Sequence, residues 1–192
     1  MKKIVLLVCL LGVSGAAFAG TSPDTLIYKA NKALAANPSD AKAYYNRGTA
    51  QLQLEKLDEA IKDFTQSITL EPKAADTYFN RGLAYRFQNK NTEAIADFSK
   101  AIELFPNSWR YYYERCNARI VTADYAGAVT DGTELIRLAP KEADSHFMRG
   151  LASHLRGDDT AGLTDADQAL KVKNWHKGAL KLKAEILAQR TA

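Results

Sequence analysis

Cysteine is nearly absent: Cys9 and Cys116 are the two thiols in 192 residues. Cys9 falls in a leader, as argued below, so Cys116 stands alone and an internal disulfide is excluded. Histidine is almost as scarce. His146, His154 and His176 are the three present, and no acidic or thiol neighbour completes a metal-ligand spacing with them. A Cys116 nucleophile with His146 as its base is arithmetically allowed, but a thiol buried at a helix crossing is inert. A glycine-rich phosphate loop and a nucleophile elbow are missing too. The expectation is a protein that is not an enzyme and holds no metal or cofactor. Charge of one sign is also lacking. The 26 Lys and Arg against 22 Asp and Glu leave +4, too even a balance for a nucleic-acid footprint. The apolar run Ile4–Val13 falls well short of the roughly 20 residues a membrane helix needs.

That run has a different use. Lys2 and Lys3 precede it, and Ala17-Phe18-Ala19 follows as a small-x-small site. This is the arrangement of a secretory leader cleaved after Ala19. The polar Thr21, Ser22 and Asp24 that follow argue against a retained anchor, and Leu7-Val8 lack the small residue that lipid attachment at Cys9 needs. The expected address is periplasmic or secreted, with no stable membrane insertion after cleavage. Loss of Lys2 and Lys3 lowers the formal charge from +4 to +2. Much of the remaining basic charge lies near the C-terminus, at Lys171, Lys173, Lys177, Lys181, Lys183 and Arg190.

Proline is sparse but regular. After Pro23 come Pro38, Pro72, Pro106 and Pro140, each 34 residues from the last. Gly48, Gly82 and Gly150 keep that phase. So do Arg47, Arg81, Arg115 and Arg149, and Asp63, Asp97, Asp131 and Asp165. A fixed period of this length marks a solenoid, in which each unit stacks on its neighbours. Counting positions from Ala41, Ala75, Trp109 and Ala143 gives blocks 41–74, 75–108, 109–142 and 143–176. The first two carry Tyr44 and Tyr78 at position 4, Gly48 and Gly82 at 8, Ala60 and Ala94 at 20, Phe64 and Phe98 at 24, Ser67 and Ala101 at 27, and Pro72 and Pro106 at 32. This pattern resembles the tetratricopeptide repeat. The third block keeps Tyr112, Ala128 and Pro140 but has Cys116 for the glycine and Gly132 for the aromatic. The fourth keeps Gly150 and Ala169, with His146, Gly162, Ala166 and Asn174 at the other signature positions. The resemblance implies an all-α chain. It would be a right-handed α-solenoid of helix-turn-helix repeats, with an N-terminal helix in 20–40 and a C-terminal capping helix in 177–192.

Local signals agree with helices. Ser22 can cap, Pro23 suits the first helical position and Asp24 favours the positive end. The helix they start should stop before Asn37-Pro38. In block 41–74 a helix A over 41–53 and a helix B over 58–70 are expected. Ala60, Ile61, Phe64 and Ile68 recur at helical spacing on the second. One of Tyr111, Tyr112 and Tyr113 should lean into the space Gly132 leaves. In the last helix Leu180, Ala184 and Leu187 form the expected inward stripe, with Lys177, Lys181, Lys183 and Arg190 outside.

Arginine at position 7 and aspartate at position 23 return together in all four blocks, at similar heights in an antiparallel hairpin. The expected pairs are Arg47–Asp63, Arg81–Asp97, Arg115–Asp131 and Arg149–Asp165, or the same Asp reaching the next block's Arg. They would form a ladder of partly buried bidentate ion pairs that sets helix register. The competing reading is four arginines held for an anionic ligand. The resemblance also implies that the A helices line a concave face. Their inward positions hold Tyr45, Phe79, Tyr113 and Phe147, with Asn46, Asn80, Asn117 and Arg86 beside them. Aromatic rings offer large contact area at little entropy cost, and asparagine can hold a peptide backbone. The expected function is a non-catalytic adaptor that binds a peptide or helix of an envelope protein in this groove through those eight residues. The alternative is a structural subunit of an envelope complex, or a homo-oligomer, assembling through the solenoid ends.

Overall fold

The computed structural model describes residues 21–190. The leader expected over residues 1–19 lies outside them. Among the described residues the chain is all-α, with ten helices that form consecutive helix-turn-helix repeats. In order they are α1 (Pro23–Ala36), α2 (Ala41–Gln53), α3 (Leu57–Leu70), α4 (Ala75–Phe87), α5 (Asn91–Leu104), α6 (Trp109–Val121), α7 (Tyr125–Leu138), α8 (Ala143–Leu155), α9 (Asp159–Val172) and α10 (Lys177–Arg190). They fall into two compact units that divide between Gln88 and Asn89, the first with α1–α4 and the second with α5–α10.

Side chains that satisfy the first free backbone N–H groups start several of the helices. Ser22 accepts from Thr25 at α1, Asp40 from Ala43 at α2, Asp124 from Gly127 at α7 and Asp158 from Ala161 at α9. The turns between helix A and helix B share another device. Glu55, Asn89, Ala123 and Gly157 recur at position 15, and all have positive φ, of 58°, 61°, 61° and 96°. Glycine takes this conformation freely and asparagine tolerates it, but a β-carbon makes it costly for alanine. Ala123 is exposed, so removing its methyl sacrifices no packing. Ala123→Gly is therefore expected to raise unfolding free energy by about 0.5–1 kcal/mol. Urea denaturation checks this, and an unchanged midpoint would mean that the turn carries no strain.

In the first unit, α2 and α3 meet where Gly48 faces Phe64. A β-carbon at Gly48 would lie 2.9 Å from the ring, and Phe64 is fully buried beside the equally buried Ala60. In the second unit the sizes are exchanged. Cys116 occupies the glycine position and is fully buried, its thiol donating to the Ala128 carbonyl at 3.3 Å. Gly132 takes the aromatic position. The atoms nearest a β-carbon there belong to Arg149, where a tyrosine was expected. The space is closed by α8 itself, because a β-carbon at Gly132 would stand 2.7 Å from Arg149 Cβ and 2.8 Å from its Cα. Deleting the ring lets the next helix come closer instead of admitting another ring.

The register expected of α10 is also corrected. Ala179, Leu182 and Ile186 are the buried residues, packed with Leu163, Leu170 and the small residues Ala166 and Ala169 of α9. Leu180 and Leu187 are 47% and 44% exposed, and Ala184 is exposed as well. Both stripes have helical spacing, so periodicity alone does not choose between them. The neighbour chooses: a β-carbon at Gly162 would lie 3.0 Å from Ile186 Cδ1, which marks where α9 admits a bulky side chain.

Candidate functional site

The repeated arginines are built into the hairpins. Arg47 donates to both carboxylate oxygens of Asp63, each at 2.7 Å. Arg115 does so to Asp131 at 3.0 and 2.6 Å, and Arg149 to Asp165 at 2.7 and 2.8 Å. Arg81 belongs to the first unit and the buried Asp97 to the second. The Arg47–Asp63, Arg115–Asp131 and Arg149–Asp165 pairs are forked, charge-assisted contacts with a buried acceptor. The hydrogen bond to the carboxylate holds the Arg47 and Arg149 guanidinium groups above their ordinary pKa, against the opposing effect of burial. In the third block Asp131 takes a second arginine, Arg119, whose Nη1 donates to Oδ2 at 2.9 Å.

The guanidinium also reaches backwards, a contact the sequence reading missed. Its Nη1 donates to position 25 of the preceding helix B: Arg47 to Asn31 at 2.7 Å, Arg81 to Thr65 at 3.1 Å and Arg115 to Ser99 at 3.0 Å. Lys183 repeats the move on α10, meeting Asp167 at 2.7 Å. The tyrosine one turn earlier lies under the charge, with Arg47 5.5 Å from the Tyr44 centroid, Arg81 5.7 Å from Tyr78 and Arg115 5.7 Å from Tyr112. Asn31, Thr65, Ser99 and Asp167 share a phase but not a residue type, so no single letter repeats to reveal them.

The eight residues expected to grip a partner are not equally accessible. In the first unit Tyr45 and Asn46 are half-buried on α2, and Arg86 is half-buried on α4 with its guanidinium 5.0 Å above the Phe87 ring. Phe79 and Asn80 are each 3% exposed. Asn80 Nδ2 donates to Tyr45 Oη at 3.1 Å, which fixes the amide and the ring as one element across α2 and α4. Thr49 supports it from below, its hydroxyl bonded to the Tyr45 carbonyl at 2.9 Å. In the second unit Tyr113 and Asn117 are half-buried on α6, and Tyr113 meets Trp109 edge-on at 6.3 Å. Phe147 is partly covered by the start of α10. Its ring is 5.0 Å from the His176 ring, and a β-carbon at Gly178 would stand 2.7 Å from it. Phe79 and Asn80 are thus buried, while Tyr45, Asn46, Arg86, Tyr113, Asn117 and the partly covered Phe147 retain accessible surface.

His176 has a role not foreseen. Its Nδ1 accepts the Ala179 backbone N–H at 3.0 Å, and its Nε2 lies 3.0 Å from an Asp144 carboxylate oxygen. A neutral ring protonated on Nε2 satisfies both contacts, so His176 caps α10 and fastens it to α8. Burial pushes the Cys116 thiol up to about 12, which removes it as a nucleophile. Among the described residues no three His, Cys, Asp or Glu side chains are grouped to hold a metal ion.

Known proteins agree with this architecture. The family model described as "Tetratricopeptide repeat" matches residues 41–74 and 75–108. No curated protein is a significant match. Among solved structures, the crystal structure of YrrB, described as a TPR protein with an unusual peptide-binding site, is 20% identical. It covers 84% of each chain with a TM-score of 0.78. A crystal structure of MamA is 20% identical over 79% of this chain and 89% of its own, with a TM-score of 0.75. MamA from Desulfovibrio magneticus RS-1 is 15% identical over 82% and 89%, also at 0.75. The first TPR of Spaghetti (RPAP3), bound to the HSP90 peptide SRMEEVD, is 19% identical over 62% and 94%, at 0.59. At these identities the likeness speaks for the fold.

Proposed function

Because residues 41–74 and 75–108 are tetratricopeptide repeats and the described helices stack as consecutive hairpins of that kind, we propose that this chain is an exported, non-catalytic adaptor. It binds an extended peptide or a helix of another cell-envelope protein on the face of its A helices. The observation that carries the proposal is the Asn80–Tyr45 hydrogen bond. It fixes an aromatic ring and an amide of consecutive A helices, α2 and α4, which also carry the partly open Asn46 and Arg86. A face whose polar and aromatic groups are held before a ligand arrives loses less entropy on binding. YrrB and the RPAP3 repeat, similar in fold, are proteins described with a peptide site and a bound peptide. Export rests on Lys2, Lys3, the run Ile4–Val13 and Ala17-Phe18-Ala19, and it makes an envelope protein the natural partner.

Asn46→Ala combined with Arg86→Ala tests the proposal, since neither side chain belongs to the buried core. Capture of the partner from a periplasmic extract, quantified by mass spectrometry, is expected to fall about tenfold relative to the wild type. Equal capture by both proteins, with unchanged circular dichroism, removes this face from consideration.

A further inference from the structure

The last helix keeps the phase of an A helix. Lys177–Arg190 follows Ala143–Leu155 by one period, which puts Leu180, Lys183, Ala184 and Leu187 at positions 4, 7, 8 and 11. In complete hairpins within each unit these positions face their own helix B. Arg47 holds Asp63, and a β-carbon at Gly48 would meet Phe64 at 2.9 Å. The Cys116 thiol bonds to Ala128 of α7, and a β-carbon at Gly150 would meet Asp165 Cβ at 2.8 Å. Among the described residues no helix B follows α10. Its stripe stays exposed, with Leu180 and Leu187 showing nearly half their surface.

We propose that this stripe is a docking site for an acidic amphipathic helix of another protein, laid antiparallel on α10 as helix B lies on helix A. The inference uses none of the residues assigned to the adaptor face. The sign of the partner follows from the rim. Lys177 stands one turn before Leu180 and Lys181 one turn before Ala184, and both are exposed. Lys181 meets Glu185 at 3.6 Å, with both side chains about half exposed or more. A screened pair of that kind neutralises little. Lys183 stands where the other A helices place the arginine that holds a helix-B aspartate, and it has Asp167 of α9. An incoming carboxylate at position 23 would complete the same three-way arrangement seen around Arg47.

A second copy fits less well. Among the described residues α1 has the phase of a helix B and follows no helix A, so it has the right shape to follow α10. It carries Lys29 where Asp63, Asp131 and Asp165 stand in α3, α7 and α9, which sets an ammonium against Lys183. Two α10 stripes facing each other would bring the same lysines together. Like charges at such spacing are destabilising. The occupant's size is also constrained. The Ala184 methyl fills the space that Gly48 leaves for Phe64, so the partner carries a small residue at position 24, as α9 does with Ala166.

The test uses a fluorescein-labelled, stapled peptide with the sequence of residues 91–104 and the substitution Phe98→Ala. Its control has Glu93, Asp97 and Glu103 replaced by lysine. Binding to the chain is followed by anisotropy, and circular dichroism confirms that the variants stay folded. The acidic peptide is expected to bind, and its affinity to fall about tenfold with Leu180→Asp and with Lys177→Glu/Lys181→Glu. The lysine peptide is expected to bind at least about tenfold more weakly. Undiminished binding to Leu180→Asp would overturn the proposal, as would equal binding of the two peptides. No binding of the acidic peptide at about 1 mM would do the same. Self-association of the wild type, seen by light scattering and abolished by Leu180→Asp, would assign the stripe to a second copy instead.

Discussion

Asp131→Ala is expected to lower unfolding free energy by about 3–5 kcal/mol, which for a chain of this size means a fall in Tm of roughly 10 °C. The aspartate is fully buried. It accepts from Arg115 at 3.0 and 2.6 Å and from Arg119 at 2.9 Å. Those guanidinium groups are themselves only 14% and 19% exposed. Removing the carboxylate leaves two cations without the anion they share, in a place where water reaches them poorly. The cost comes mainly from that stranding, not from the intrinsic strength of the pair. A companion variant separates the two effects. Asp131→Leu with Arg115→Met and Arg119→Met removes all three charges together and is expected to lose far less, as exchanges of buried ion clusters for apolar groups commonly do. Chemical denaturation of both variants decides. If the triple variant loses as much as the single one, the cluster contributes net stability of its own.

Gly132→Phe is the second large effect, although it writes back the residue type found at Phe64 and Phe98. We expect a loss of about 3 kcal/mol, the upper end of the usual range for overpacked cores. Phe64 fits because Gly48 opposite it has no side chain. At Gly132 both sides are already taken. Cys116 fills the position opposite, and the backbone of α8 at Arg149 lies within 2.8 Å of where the first carbon would go. Adding Cys116→Gly is expected to recover little, because the obstruction is α8 and backbone does not yield as a flexible side chain would. A Gly132→Phe protein with wild-type thermal stability would show that α7 and α8 are not packed this closely.

These two sites show where reading the chain alone succeeds and where it stops. Pro38, Pro72, Pro106 and Pro140 mark the ends of helices because proline bars the preceding residue from helical backbone. The 16-residue step from Arg47 to Asp63, repeated in the later blocks, is visible because both partners are the same residue type each time. Asn31, Thr65 and Ser99 bond to the same arginines but offer three different acceptors. Their agreement lies in geometry, not in letters. The face of α10 was not legible because Leu180, Ala184 and Leu187 and the competing Ala179, Leu182 and Ile186 are both helical stripes. The choice between them is made by the small residues of α9. For the candidate site the residue types were legible and their accessibility was not. Phe79 occupies the same inward position as Tyr45 and Tyr113, and Asn80 the same as Asn46, but Phe79 and Asn80 are buried and the others are not, because burial depends on neighbours.

The backward reach of the arginines bears on how such a chain can change its length. The donor at position 7 and the acceptor at position 25 meet with one spacing at Arg47–Asn31, Arg81–Thr65, Arg115–Ser99 and Lys183–Asp167, so excising or duplicating a whole 34-residue block offers a fresh donor to such an acceptor. Removing one residue fewer rotates every later helix by about 100° and parts them. Growth and shrinkage by full blocks thus leave the seams intact, and any other deletion opens one.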